Sequence, residues 1–170
     1  MRDRLVEALK AHNVEYADIR IEDVTGSRVV FRGPDLDTID SSRTTGGIVR
    51  ALHKGSWGYA TFNDLDDLEV RVREACETAR LVGTEQTYFA PVQPVTDVIK
   101  AEMVKDFREI PLADKVSLVE GYNRIVLGRH PRIQTSALIY TDSFKTAWFA
   151  SSEDAYIEEE KPNVFVFVQA

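Results

Sequence analysis

Ala17-Asp18-Ile19-Arg20-Ile21-Glu22 is the stretch on which the fold turns. Apolar and charged residues alternate along it, the period of a strand with one face on a core and the other in water, and such alternation belongs to antiparallel sheets. Thr25-Gly26-Ser27 follows and reads as a tight reversal built on a glycine, after which residues 27–32 resume as a second strand. Upstream, residues 2–13 set Leu5, Val6, Ala8 and Leu9 on one stripe between charged side chains, the spacing of a short helix. Downstream, Gly33-Pro34-Asp35 turns the chain into a weaker strand at 36–42, and a longer strand at 44–53 is interrupted at Gly46-Gly47, where a bulge or a close backbone approach is expected. Lys54-Gly55 then turns into a strand at 56–61.

Helical periodicity appears twice. Asn63-Asp64-Leu65-Asp66-Asp67 gathers a capping side chain and carboxylates suited to the positive end of a helix dipole. Leu65, Leu68, Val72, Cys76, Ala79 and Val82 then recur at threes and fours up to Gly83, a helix of about five turns. Residues 84–110 contain Pro91 and Pro94, hold no sustained period, and read as a connector with a short helical turn near 100–104. Pro111 suits the first turn of a second long helix striped by Leu112, Val116, Val119, Tyr122 and Val126 as far as Gly128. Strands at 133–141, 145–151, 155–161 and 163–169 complete the pattern. The expectation is an α+β fold of mostly antiparallel sheets packed with two long helices, arranged as a first unit (1–83), a connector (84–110) and a second unit (111–170). The order of helix, strand, polar turn and strands recurs, so that 17–52 lies beside 135–170, and this suggests a degenerate duplication of a helix-plus-four-strand unit.

The last strand carries a separate message. Val164, Phe165, Val166, Phe167 and Val168 are apolar on both faces, which calls for cover on both sides, and a bare end strand of this kind is an aggregation hazard. The expectation is that these 170 residues are the front part of something larger, cut short within the second unit.

Composition narrows the function. With 44% hydrophobic and 9% aromatic residues the chain can bury a real core in one or two domains. Its 21 basic residues against 28 acidic ones leave a formal charge of −7, which repels phosphate backbones, and Arg71, Arg73 and Arg80 are spread among acids, so direct nucleic-acid contact is not expected. No apolar run approaches the ~18 residues of a membrane span, and Met1-Arg2-Asp3-Arg4 does not open a signal peptide, so the expected address is the cytoplasm. Cys76 is the only cysteine, which excludes an intramolecular disulfide and a multi-thiolate zinc site within the chain.

Reactive constellations are sparse. His12, His53 and His130 fall in different elements and form no HExxH or other helical ligand pair. Cys76 shares a stripe with Leu68, Val72 and Ala79 and reads as a buried core thiol rather than a nucleophile. Asp64, Asp66 and Asp67 could attract a hard cation, but a helix start accounts for them. Glu158 and Glu160 share one strand face with Glu159 on the other, the pattern of a solvated strand. No glycine run matches a nucleotide-phosphate loop. Trp57 and Tyr59 share a strand face and Trp148 lies in a later strand; core packing is the first use for each, with a peptide- or subunit-binding surface second.

Taken together, Tyr16-Ala17-Asp18-Ile19-Arg20, Gly46-Gly47-Ile48-Val49-Arg50-Ala51-Leu52 and Gly55-Ser56-Trp57-Gly58-Tyr59-Ala60-Thr61-Phe62-Asn63-Asp64-Leu65 ahead of a helix resemble the N-terminal region of the TldD/PmbA family, described as modulators of DNA gyrase. The second half is similar too, with Pro111-Leu112-Ala113-Asp114-Lys115-Val116 opening a helix and Ser151-Ser152-Glu153-Asp154-Ala155-Tyr156-Ile157-Glu158 in the place of the family's serine-glutamate-glycine segment, where Asp154-Ala155 departs from the usual glycine. The resemblance covers nearly the whole chain, mostly through turn and cap residues. It implies a two-part protein whose paired subunits, one TldD-like and one PmbA-like, form a protease acting on unfolded peptides, with zinc on an HExxxH helix in a C-terminal domain of the TldD-like subunit. No histidine here is followed by glutamate, so no metal ligand, catalytic residue or cofactor contact of the family carries over to this chain. The resemblance therefore implies a non-catalytic N-terminal portion, inactive alone, that gives contacts to a homologous subunit in a homo- or heterodimer and part of the wall controlling substrate access. Its wording is slightly closer to the TldD-like subunit. The alternative is a non-catalytic peptide- or protein-binding module, either a PmbA-like partner or a stand-alone adaptor that includes a gyrase-associated regulator. Trp57, Tyr59, Phe165 and Phe167 are the candidate partner or substrate surface.

Overall fold

A computed structural model describes residues 1–10 and 13–170, so His12 lies outside the described residues. In chain order the elements are α1 (Arg2–Lys10), β1 (Tyr16–Arg32), β2 (Asp35–His53), β3 (Ser56–Phe62), α2 (Leu68–Val82), β4 (Thr96–Ile99), a 3-10 turn (Phe107–Glu109), α3 (Leu112–Gly128), β5 (Ala137–Ser151) and β6 (Tyr156–Gln169). The fold is α+β: the strands form one six-stranded sheet in the order β3-β2-β1-β5-β6-β4, with β2 and β3 antiparallel and β4 parallel to β6. By internal contacts the chain separates into two compact units, each gathered from three stretches. The first holds Met1–Asp23, Thr44–Lys100 and Thr146–Glu160; the second holds Val24–Arg43, Ala101–Lys145 and Lys161–Ala170.

The first unit packs Leu5 and Leu9 of α1 and Leu68, Val72, Ala75, Cys76 and Ala79 of α2 against strand residues Ala17, Ile19, Ile21, Val49, Ala51 and Phe62. The alternation at 17–22 thus aims its apolar face at a core. At ~25 cal/mol per Å² of buried apolar surface, such side chains supply most of the drive to fold. Helix α2 approaches β3 closely because Gly58 has no side chain: a Cβ there would overlap the Ala75 carbonyl and lie 2.5 Å from the Ala79 nitrogen. The Lys54-Gly55 reversal is a two-residue hairpin turn with φ of 46° and 79°, and His53 pairs with Ser56 across it, as positive φ at both central positions requires.

The second unit seats Val119 of α3, with Leu112, Val116 and Val126 half-buried around it, on Val29, Phe31, Leu138 and Tyr140. Lys115 and Asn123 lie on the same buried row as Val119, four residues to either side. Asn123 donates to the Gly33 carbonyl at 2.7 Å and accepts from the Ser136 hydroxyl at 2.6 Å, which anchors the Gly33-Pro34 turn; Gly33 itself sits at φ 57°.

Several expected boundaries change. β1 runs unbroken through Thr25-Gly26-Ser27, because Gly26 serves a close strand approach: a Cβ there would lie 2.6 Å from the Asp142 carbonyl. β2 is likewise one strand, and Gly47 provides the anticipated close approach, since a Cβ would collide with the Phe62 ring and lie 2.7 Å from the Arg20 carbonyl. The four strands expected after α3 are two, β5 and β6. Asp142-Ser143 does not turn because Asp142 is buried and hydrogen-bonded within β5. Pro162 lies in β6 beyond the stretch that β4 pairs, which ends at Glu159, and strand prolines are confined to such edge positions. Helix α2 begins at Leu68, later than expected; Asp64 instead accepts from the Asp66 N–H at 3.2 Å in the preceding turn, and Val82 is exposed rather than on the buried stripe. Within 84–110 the regular pieces are β4 and the 3-10 turn, with no helical turn at 100–104. Tyr122 faces outward, displaced from the buried row by Lys115 and Asn123.

Candidate functional site

Asp18 was expected on the solvent face of β1, yet it is 0% exposed. The cause is Arg50 on β2, whose Nε donates to both Asp18 oxygens at 3.1 Å and whose Nη2 donates to Oδ2 at 2.6 Å, a bidentate pair that compensates burial. Arg20 adds a longer contact of 3.8 Å from the exposed side. The hydrogen bonds that Arg50 donates to Asp18 hold its guanidinium charged, raising its pKa. Arg50 in turn lies over the Trp57 ring, 5.3 Å from its centroid.

This ion pair floors an aromatic pocket of about 400 Å³ lined by Tyr16, Arg50, Trp57, Phe89, Ala90, Val92 and Glu153, all in the first unit. Tyr16 meets Trp57 at 6.0 Å and Phe89 at 5.3 Å, both edge to face, while Trp57 and Phe89 are 6.1 Å apart and tilted by 42°. Tyr59 stacks on Trp57 from outside at 6.5 Å. Burial first, and then the charge of Asp18, push the Tyr16 phenol up to about 12; Glu153 adds to this and Arg50 opposes it. Glu153 sits in the turn between β5 and β6, where Asp154 takes a φ of 63°, the left-handed conformation that a glycine would adopt freely. Trp57 and Tyr59 are therefore brought together as the sequence implied, and Tyr16, Arg50, Phe89 and Glu153 join them. The last two come from irregular segments with no periodicity to announce them. Trp148 instead packs against the first unit's core.

Phe165 and Phe167 form a second patch on β6. Their rings stack at 6.4 Å and 10°, and the run from Val164 to Val168 is 41–51% exposed on both faces. Beyond Glu159, β6 has no β4 partner, so this apolar segment also presents a sheet edge.

A third cluster was not anticipated. In the second unit the Lys115 ammonium donates to Asp142 Oδ2 at 2.6 Å and to Ser27 Oγ at 3.1 Å, while Ser27 Oγ and the Tyr140 hydroxyl donate to the same carboxylate oxygen at 2.7 and 2.6 Å. Burial alone would raise the Asp142 pKa, but donors from Lys115, Tyr140 and Ser27 outweigh it and the net shift is downward. A carboxylate so held is a poor base, so this serine-lysine-aspartate set locks α3 to the strands rather than activating Ser27. The signal available in the sequence was the row Lys115-Val119-Asn123 at intervals of four.

The other candidates resolve individually. Cys76 is buried in the first unit's core, and desolvation raises its thiol pKa. His130 accepts from the Arg132 N–H at 3.1 Å, and His53 has a buried Nδ1 without a hydrogen-bond partner. Glu158 and Glu160 share Lys100 at 2.5 and 3.0 Å. Among the described residues no three His, Cys, Asp or Glu side chains converge as a metal-binding group.

Residues 17–80 match the family model for PmbA/TldA metallopeptidase domain 1, and residues 105–170 match that for the PmbA/TldA metallopeptidase central domain. A metalloprotease of Synechocystis sp. is 36% identical over 146 residues, which are 85% of this chain and 32% of that protein. A metalloprotease of Methanothermobacter thermautotrophicus is 27% identical over 158 residues, 92% of this chain and 34% of its own. Among solved structures, a Thermotoga maritima protein described as a candidate modulator of a DNA gyrase aligns with a TM-score of 0.79 at 16% identity, over 98% of this chain and 38% of that one. TldE from Thermococcus kodakarensis aligns at 0.71 and 10% identity, over 92% and 36%. Those two likenesses concern the fold. The chain spans about a third of the length of the curated relatives it matches.

Proposed function

Since the chain belongs to the TldD/PmbA family of metallopeptidases, we propose that it is the N-terminal, non-catalytic portion of such a protein, supplying subunit contacts and part of the wall through which unfolded peptides reach a catalytic domain elsewhere. The observation that carries this reading is the apolar segment of β6, where five successive side chains are 41–51% exposed and the strand edge beyond Glu159 lacks β4. A surface of that kind is stable in water only when something covers it. The partner proposed is a homologous TldD/PmbA-type subunit, identical or paired. On this reading zinc is held by the catalytic domain of a TldD-like parent, and no histidine of this chain is followed by glutamate. The chain alone accordingly neither hydrolyses peptides nor retains stoichiometric zinc. Purified protein is assayed against unfolded polypeptide and by metal analysis; hydrolysis that co-purifies with the chain and is abolished by chelation would overturn the assignment.

A second reading, a peptide-binding module without any link to catalysis, is favoured by the Trp57 pocket. The two readings differ in whether the β6 patch is covered by another subunit.

A further inference from the structure

The first unit's pocket has a chemistry of its own, which holds under either reading above. Its walls are aromatic and aliphatic, namely Tyr16, Trp57, Phe89, Ala90 and Val92, and two charged side chains line it. Arg50 is already matched: two of its nitrogens are committed to the fully buried Asp18. Glu153 is exposed in its turn and pairs with no cation among the described residues, although its charge reaches the pocket and is felt at the Tyr16 phenol. With Arg50 committed to Asp18, Glu153 is the charged lining residue left without a counter-ion among the described residues, and it stands beside aromatic rings and an apolar wall that accepts an alkyl stem. Ring quadrupoles and a nearby carboxylate act in the same direction on a positive guest, and both disfavour an anionic one.

We propose that this pocket binds the cationic side chain of a lysine in an extended peptide, with its stem along Phe89, Ala90 and Val92 and its ammonium at Glu153. Lysine fits because its long apolar stem buries while the charged head stays at the rim. An open pocket of about 400 Å³ admits such a side chain without enclosing it, so the interaction selects among peptides rather than gripping one tightly.

The test uses the chain as it is, with fluorescently labelled peptides of one sequence that differ at a single central position: lysine, norleucine or glutamate. The lysine peptide is expected to bind at least ten-fold more tightly than the norleucine peptide, equivalent to about 1.4 kcal/mol. The glutamate peptide is expected to bind more weakly than either. Raising the salt concentration shrinks the lysine preference, since the rim charge is screened. Glu153→Gln, an exposed substitution, is expected to leave folding unchanged and to reduce the lysine preference to within about two-fold of norleucine; Trp57→Phe, which keeps an aromatic wall, retains most of it. Butylammonium as a competitor separates the head-and-stem chemistry from the peptide backbone, because it displaces the lysine peptide at millimolar concentration if the pocket reads the side chain alone. Equal binding of lysine and norleucine peptides, or a lysine preference that survives Glu153→Gln, would overturn the proposal.

Discussion

At the scale of single residues, the most consequential contact is the Lys115–Asp142 pair. Both side chains are nine-tenths buried, and Asp142 Oδ2 collects three donors. Removing one charge strands the other in a low-dielectric site, so Lys115→Met is expected to cost about 3 kcal/mol by urea denaturation at neutral pH. A loss under about 0.5 kcal/mol would show that the pair is not held as described. The sign of the pH dependence follows from the lowered pKa of Asp142. A carboxyl depressed in the folded state contributes stability that is complete above its unfolded pKa of about 3.9 and disappears as the pH falls through the folded value. The gap between wild type and Lys115→Met should therefore narrow between pH 7 and pH 3, because protonation neutralises the stranded carboxylate in the variant; a gap independent of pH would contradict the assignment. Cys76 offers a second residue-scale test. Fully buried with a raised pKa, it should react with a thiol-specific disulfide reagent only as fast as the first unit opens, accelerating steeply with denaturant.

At the scale of elements, Gly58 fixes how near α2 can lie to β3, because a methyl group there meets the backbone of Ala75 and Ala79 and not a movable side chain. Gly58→Ala is expected to destabilise the chain by about 2 kcal/mol, seen as a fall in melting temperature of roughly 4–8 °C. An unchanged melting temperature would mean that the helix shifts freely. This position also marks the limit of what the sequence discloses. Strand period at 17–22, the Lys54-Gly55 hairpin and the stripe of α2 are local patterns, so they were legible residue by residue. Only for Gly47 was a close approach among the sequence expectations; Gly26 looks like a turn glycine in sequence and Gly58 carries no signal within its strand, yet the φ of each is ordinary and its purpose is to admit a neighbour distant in the chain. The same holds for Asp142, whose polarity suggests a turn until Lys115 and Ser27 are brought to it. For the pocket, Trp57 and Tyr59 were readable as a shared strand face. Phe89 and Glu153 were not, because they reach the site from irregular segments whose paths are set by tertiary contacts.

At the scale of the whole molecule, the question is what an acidic chain with a formal charge of −7 does with a bare apolar strand. Charge repulsion opposes random clustering, while Val164, Phe165, Val166, Phe167 and Val168 reward any geometry that covers both faces at once. The balance favours a defined association over precipitation, and it makes association dependent on concentration and on salt, which screens the repulsion but not the apolar contact. Light scattering on the purified chain is therefore expected to show an average mass that rises with concentration, more steeply at 0.5 M salt than at low salt. Phe165→Lys combined with Phe167→Lys should return the chain to a monomer in both conditions. Because both rings are about half exposed, the doubly substituted chain should keep a melting temperature close to that of the parent, and this separates a lost interface from a lost fold. The same variant should fail to capture a homologous subunit of the TldD/PmbA type that the parent chain captures. A clean monomer for the unsubstituted chain across the whole concentration range, together with undiminished capture by the variant, would overturn the proposal that β6 is a subunit contact.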